Sequence, residues 1–470
     1  MDSPLLREFK GPDGDPFLQE PSLTPPELRL VMSLGSDGFN PFRNTTRGAF
    51  ITCTAIYMVL LSLPEHLRYQ PKYLYLVTVL PGKPQGNINH SLGWLVDQLL
   101  PFWNEGVYYM RTARHFLGRK VFAVLIPVVC DTEAAHEISG FASHSHTYFC
   151  RRCLLKLENI DNLNPETWPQ CNPQRHKELA LQWKDASEEV QKFIYKEHGL
   201  HWTELLRLPY LDPIMFTIFD KLHFSELGLK ESHFRDFFMV DETRNGGEGI
   251  GFKDDSGHRR LRPSNSSLRV AWTTIRENKQ SLSQELKKLS YDFLWYLCFA
   301  LGLRTSITVL PSYISQVREK WGTRAGGTLG GDEWNTLSTI HLVVSLIWIW
   351  GYEYDENSRR FQLLLNYLDM VHALHAFSLC ETSPSLQNYY LARMLKYLHG
   401  LLVLYPDVSL KPNHHYAVHA ADDLRLFGPP HARSTPVFER MNHTLQQIPS
   451  NNHLGKLYSF FPLIKLTLFF

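Results

Sequence analysis

A chain of 470 residues with 44% hydrophobic and 13% aromatic residues is long enough for two or three domains and apolar enough for a large core, which excludes a disordered or fibrous protein. With 48 Lys+Arg against 47 Asp+Glu the net charge is only +1, so affinity for a phosphate backbone has to come from local basic clusters. The longest central apolar run, Leu342 to Trp350, is far short of the ~20 residues a bilayer requires, and Met1-Asp2-Ser3-Pro4 lacks the basic and apolar regions of a secretory leader, so no membrane partner is expected.

Residues 1–28 are polar and Pro-rich and read as an extended lead-in. The apolar run from Leu30 to Leu34 reads as a buried strand that ends at Ser36-Asp37-Gly38-Phe39-Asn40-Pro41, residues that turn a chain. An Asp held at a strand end is rigid, but Asp-Gly is equally an ordinary hairpin turn. Residues 48–61 and 73–80 suit two further buried strands. Asn89 to Trp103 places Leu92, Leu95, Val96, Leu99, Leu100 and Trp103 on one helical face. Lys120 to Cys130 returns to a continuous apolar run that stops at Asp131, a second carboxylate at a strand terminus, and Pro127 within it predicts a bulge or an early strand end.

Beyond Asp131 a helix is expected over Thr132 to Ile138, followed by His144, His146 and Cys150-Arg151-Arg152-Cys153. Amphipathic stretches at Glu285 to Leu303, Trp334 to Trp350, Phe361 to Phe377 and Leu386 to Leu404 make residues 151–405 mainly helical, with polar Gly-rich breaks at 245–257 and 322–332. The aromatic residues of 334–350 read as core rather than as a base-stacking surface. His414, His415 and His419 precede Asp422-Asp423, and Pro436 to Asn442 begins a last helix carrying Glu439. The three histidines read as hydrogen-bonded structural residues rather than a metal cluster.

Seven scattered cysteines, Cys53, Cys130, Cys150, Cys153, Cys171, Cys298 and Cys380, do not make a disulfide framework and imply a reducing compartment. Cys130, in its apolar run, reads as core. Two basic clusters stand out: Arg111, Arg114, Arg119 and Lys120, and His258, Arg259, Arg260 and Arg262. Each reads equally well as a DNA contact or as a solvated face.

Ser36-Asp37-Gly38-Phe39-Asn40-Pro41-Phe42 resembles the DGFNPF signature of CACTA (En/Spm-type) DNA transposases, especially those of basidiomycete fungi. The same order of landmarks continues through Leu63-Pro64-Glu65-His66-Leu67-Arg68-Tyr69, Val79-Leu80-Pro81-Gly82-Lys83-Pro84, Asp131, Gly140-Phe141-Ala142-Ser143-His144, Cys150-Arg151-Arg152-Cys153, Glu204 to Tyr210 and Phe438-Glu439-Arg440. The resemblance covers roughly residues 28–455 and implies an α/β fold: an RNase H-like mixed sheet core interrupted by a large, mostly helical insertion. The first part of the core is expected over 29–150, the insertion over 151–405 and the return to the core over 406–470.

The resemblance further implies a DDE-type transposase that cuts double-stranded DNA at transposon ends and joins it to target DNA. Asp37, Asp131 and Glu439 would be the catalytic acids and hold Mg²⁺ or Mn²⁺, since hard cations take oxygen ligands. Asp332, Glu333, Asp422 and Asp423 are rivals to Glu439. The two-residue gap of Cys150 and Cys153 lets both sulfurs reach one Zn²⁺. By resemblance Asp220 and His223 complete that set, with His144 or His146 as substitutes for Asp220; two buried thiols and a surface His are the competing account. A homo-oligomer and a nuclear location are also implied. CACTA transposases usually carry repeat-binding sequence upstream of the catalytic region, so a fragment or shortened copy is expected. A catalytically silent derivative that binds DNA or protein is the alternative function.

Overall fold

A computed structural model describes residues 3–18, 27–41, 52–82, 88–238, 310–318, 328–351, 356–433 and 435–447. The Glu285 to Leu303 helix and the His258 to Arg262 cluster lie outside them.

The sheet begins with β1 (Leu28–Phe39), β2 (Cys53–Leu60) and β3 (Leu74–Pro81), joined as an antiparallel meander. A helix, α1 (Ile88–Asn104), follows and buries Leu92, Leu95, Val96, Leu99 and Trp103, the stripe its periodicity predicts. The short β4 (Val107–Tyr109) then pairs antiparallel with the start of β5 (Arg119–Cys130). β5 lies parallel to β1, and β6 (Thr217–Phe219) lies parallel to the end of β5, so that the order is β3-β2-β1-β5 with β4 and β6 sharing the outer edge of β5. Buried on both faces, β5 reads as an unbroken apolar run instead of an alternating one. Pro127 stays inside that strand. The β1–β5 register shifts between Met32 and Leu34, opposite Pro127, which is the expected bulge and accommodates a residue without an N–H to donate.

After β5 come α2 (Thr132–Ser139), then α3 (Pro173–Asp185) and α4 (Glu188–His198). The first compact unit comprises residues 1–221, 378–387 and 415–470, and the second residues 222–377 and 388–414. Residues 151–221, assigned by sequence to a helical insertion, therefore sort with the sheet: β6 extends it, and Leu205, Leu208 and Leu211 join its core. In the second unit, α5 (Arg359–Ser378) and α6 (Pro384–Leu404), whose first residues belong to the first unit, pack closely through Gly400. A Cβ there would lie 2.1 Å from Asn366 Nδ2, which donates to the Tyr397 carbonyl at 2.8 Å. The chain returns through α7 (Pro412–Phe427) and ends its described part in α8 (Pro436–Gln446). No helix among the described residues is long and apolar enough to cross a membrane.

Candidate active site and metal centre

Asp37 lies two residues before the end of β1, and Asp131 follows β5 directly. The last parallel pair between those strands is Leu34 with Val128; continued for three residues, that register sets Asp37 opposite Asp131. Neighbouring strands lie about 4.8 Å apart, which brings the two carboxylates to one place. Both line a cleft of about 590 Å³. Asp131 is also the N-cap of α2, its Oδ1 accepting from Ala134 N at 2.7 Å, so the start of a helix fixes its side chain.

Glu133 and Glu137, one turn apart on α2, line the same cleft. The lining therefore holds four carboxylates and no Lys or Arg. Such a site repels a phosphodiester and attracts cations, and an all-oxygen donor set suits a hard divalent ion. Neither acid stands out from the sequence as a site residue; their i, i+4 spacing directly after Asp131 is the signal that points to them.

The third expected acid, Glu439, stands exposed on α8, outside the residues that line the cleft. One turn later on the same helix, Asn442 donates from Nδ2 to Asp37 Oδ2 at 2.8 Å and accepts from the Tyr57 hydroxyl at 2.6 Å. α8 is held against the sheet by Phe438, which stacks on Tyr57 with ring centroids 5.1 Å apart and covers Gly35 of β1. The rival acids are engaged elsewhere. Asp423 is ion-paired with Arg152 and accepts from Phe219 N at 2.9 Å, both deep in the protein. Asp422 faces His419 and Arg425, and Glu333, beside Asp332 in the second unit, caps its own helix and pairs with Arg318.

A second constellation gathers Cys150, Cys153, His415 and His419, all buried, with their ligand atoms within 4.8 Å of one another. A zinc tetrahedron with these donors has edges of about 3.3–3.8 Å, so a modest contraction closes it. Cys153 Sγ lies 3.3 Å from His415 Nε2. His419 Nδ1 faces Asp422 at 3.5 Å, while its Nε2 is buried without a hydrogen-bond partner; a carboxylate behind a histidine is how metal ligands are oriented. Trp168 covers both imidazoles, at 4.3 and 5.0 Å between centroids.

Burial resists ionisation of Cys150, but a hydrogen bond from Cys153 and the His419 and His415 imidazoles outweigh it and hold its pKa well below the thiol range. The same hydrogen bond, with burial, pushes Cys153 upward. Burial also opposes charge on His419, yet the Cys150 thiolate and Asp422 raise its pKa to about 9. The donor set and the orphaned nitrogen fit a zinc ion.

Cys150 and Cys153 thus meet two histidines, His415 and His419, which read as structural from the sequence. They are four residues apart on α7 and so share a face, which is the signal in the sequence for this pairing. Asp220 and His223 are not in this group. Asp220 is buried and accepts from Thr435 N at 3.1 Å, and His223 belongs to the second unit. His146 Nδ1 accepts from Tyr148 N at 3.0 Å, and neither it nor His144 joins the cluster. His414 keeps its structural reading, accepting from Lys411 N at 2.8 Å.

Residues 19–191 match the transposase family tnp2. The match supports a transposase family for that segment. The tnp2 segment contains Asp37, Asp131, Cys150 and Cys153, and ends before His415, His419 and Glu439. No curated protein matches the chain.

Proposed function

We propose that the chain is a DDE-type transposase of the CACTA kind, cutting DNA at transposon ends and joining the 3′-hydroxyl to target DNA by two-metal phosphoryl transfer. The observation that carries this reading is the in-register delivery of Asp37 and Asp131, from adjacent parallel strands, into one acidic cleft. The antiparallel meander β3-β2-β1 followed by parallel β5 and β6 supports an RNase H-like core, and the second unit, entered after β6 and left before α7 completes, supports a large helical insertion.

Mg²⁺ or Mn²⁺ held by Asp37 and Asp131, with Glu439 as third acid, would activate the attacking oxygen and neutralise the leaving one. In the first step a water oxygen bonds to phosphorus and the bond to the 3′-oxygen breaks, leaving a 3′-hydroxyl and a 5′-phosphate. In the second, that hydroxyl oxygen bonds to a target phosphorus and the target's own 3′-oxygen leaves. Asn442 and the α2 N-terminus keep Asp37 and Asp131 in their rotamers throughout. Cys150, Cys153, His415 and His419 would hold a Zn²⁺ in a structural role, since four protein donors would leave it none for substrate. Two transposon ends handled together call for a homo-oligomer, and a chromosomal substrate for a nuclear location.

One observation favours a second reading, a catalytically silent derivative acting as a DNA- or protein-binding module: the α8 side chain on Asp37 is Asn442, not an acid. Cleavage of a terminal-repeat duplex in Mg²⁺ separates the two. The wild type is expected to cut and Asp37→Ala to bind without cutting; a wild type that binds yet cuts no better than Asp37→Ala establishes the silent module.

A further inference from the structure

At the end of β5 far from Asp131, the β4–β5 hairpin projects a tip whose side chains are unlike the rest of the surface. Met110, Phe116 and Leu117 are 83%, 71% and 91% exposed, and Tyr108 is 59% exposed. Apolar residues this open, gathered in the loop that closes one hairpin, call for a partner. The ribbon is ordered by its own bonds. Tyr108 pairs with Lys120 and Tyr109 with Arg119, Thr112 N donates to His115 O at 3.0 Å, and Gly118 turns the chain at φ 85°.

The charge on this tip is of one sign. No Asp or Glu occurs between Glu105 and Asp131, whereas Arg111, Arg114, Arg119 and Lys120 crowd the loop and its flanks. Arg111 lies over the Phe116 ring at 5.7 Å and Lys120 over Phe122 at 5.3 Å. Among the described residues, Arg111, Arg114 and Lys120 have no carboxylate partner. A self-associating apolar patch with this charge would set like charges against each other, while a polyanion satisfies both halves of it.

We propose that the β4–β5 hairpin is a duplex-DNA arm, with Arg111, Arg114 and Lys120 on phosphates and Met110, Phe116 and Leu117 against base edges. The inference rests on the transposase reading for its substrate class and adds the surface that grips it. A two-stranded ribbon fits the ~12 Å major groove, where thymine methyl groups offer apolar contact. β5 spans 12 residues, so the arm stands roughly 40 Å from Asp131, a little more than the ~34–36 Å of one helical turn of DNA. Binding in the cleft and binding at the arm are therefore separable along one duplex.

The test is fluorescence anisotropy of a labelled duplex against salt, using the full chain, with circular dichroism to verify folding of each variant. Arg111→Ala with Arg114→Ala is expected to reduce the slope of log affinity against log salt by about 1.8 and to weaken binding roughly 30-fold at ~0.15 M, the effect of two lost phosphate contacts. Phe116→Ser with Leu117→Ser is expected to weaken binding and leave that slope unchanged. If the wild type binds and both double variants retain its affinity and slope, the arm is refuted while the transposase reading stands. If the apolar variant changes only self-association in sedimentation, a second copy of the chain is the occupant and the arm is again refuted. A wild type that binds no duplex at all overturns both.

Discussion

Gly35 offers the most direct test of how the acidic cleft is built. A Cβ at that position would lie 2.1 Å from Phe438 Cε2 and 2.3 Å from Cζ, where carbon atoms normally sit about 3.5–4.0 Å apart. Gly35→Ala therefore demands a displacement of roughly 1.5 Å. The ring cannot swing aside cheaply, because it is 3% exposed and stacked on Tyr57, so α8 itself has to lift. Overpacking of this kind costs about 1–3 kcal/mol, offset in part by the ~0.4–1 kcal/mol that Ala gains over Gly in the unfolded chain, for a net loss of about 0–2.5 kcal/mol. The same shift would stretch the 2.8 Å bond from Asn442 to Asp37 beyond hydrogen-bond range. Urea denaturation of Gly35→Ala, Phe438→Leu and the double variant makes a cycle. Gly35→Ala should cost at least 1 kcal/mol less when Phe438 is already Leu, since the shorter side chain removes the clash. Equal cost in both backgrounds would refute the claim that Gly35 is there to admit Phe438.

Three further outcomes follow from the site. Asp131→Asn keeps the helix cap and should change stability by less than about 0.5 kcal/mol while abolishing cleavage, whereas Asp131→Ala should lose about 1 kcal/mol as well; denaturation and cleavage assays on both variants separate the two roles. Elemental analysis should find one zinc per chain, lost in Cys150→Ser and in His419→Ala, and a folded wild type without zinc would remove the metal centre. His136 is buried with Nδ1 donating to the Ala142 carbonyl at 2.6 Å, and burial, with the Arg151 cation, pushes its pKa down to about 3. Its folded-state pKa lies below the unfolded value of ~6.5, so its contribution is present above pH ~6.5 and is lost as pH falls towards 3, at up to about 1.4 kcal/mol per pH unit. His136→Asn should flatten the stability profile over that window, and an unchanged profile would mean that the imidazole takes up a proton as readily in the fold as in the unfolded chain.

The sheet was legible because strand signals are local. β1, β2 and β5 each bury an apolar run that the sequence displays openly, β3 is a half-buried run of the same kind, and Pro127 marked its own bulge. The strand-end position of both aspartates followed from the same runs. What stayed hidden depended on contacts remote in sequence. β6 is three residues long and has no pattern of its own; it exists because β5 offers an edge beside Val128, Val129 and Cys130. Asn442 is one of many polar residues on an exposed helix until Gly35 and Tyr57 bring that helix down on Asp37. The Cys–His cluster was visible in the sequence only in part. The spacing of Cys150 and Cys153 is local and visible, but the partner histidines are separated from it by the whole second unit.

That separation says what the cluster does for the fold. The second unit leaves the sheet just after β6, and the chain rejoins the first unit along α7. Closing so long a loop costs entropy that grows with its length, so the return needs anchors in the first unit. Two are adjacent on α7. His415 and His419 meet the Cys150–Cys153 turn, and Asp423, one turn further on, forms a buried ion pair with Arg152 from that same turn. Arg152 and Asp423 are each about 4% exposed at the side chain, so removing either one leaves a buried charge unpaired, at a cost of about 3–5 kcal/mol. From these anchors the chain reaches α8 through the short connection that contains Gly428 and Arg433, where Arg433 donates to the Gly428 carbonyl at 2.5 Å. The placement of α8, and with it Asn442 on Asp37, is thus downstream of the α7 anchors. Stability of the Cys–His cluster and order at the acidic cleft belong to one chain of contacts, even though no residue of the one lines the other.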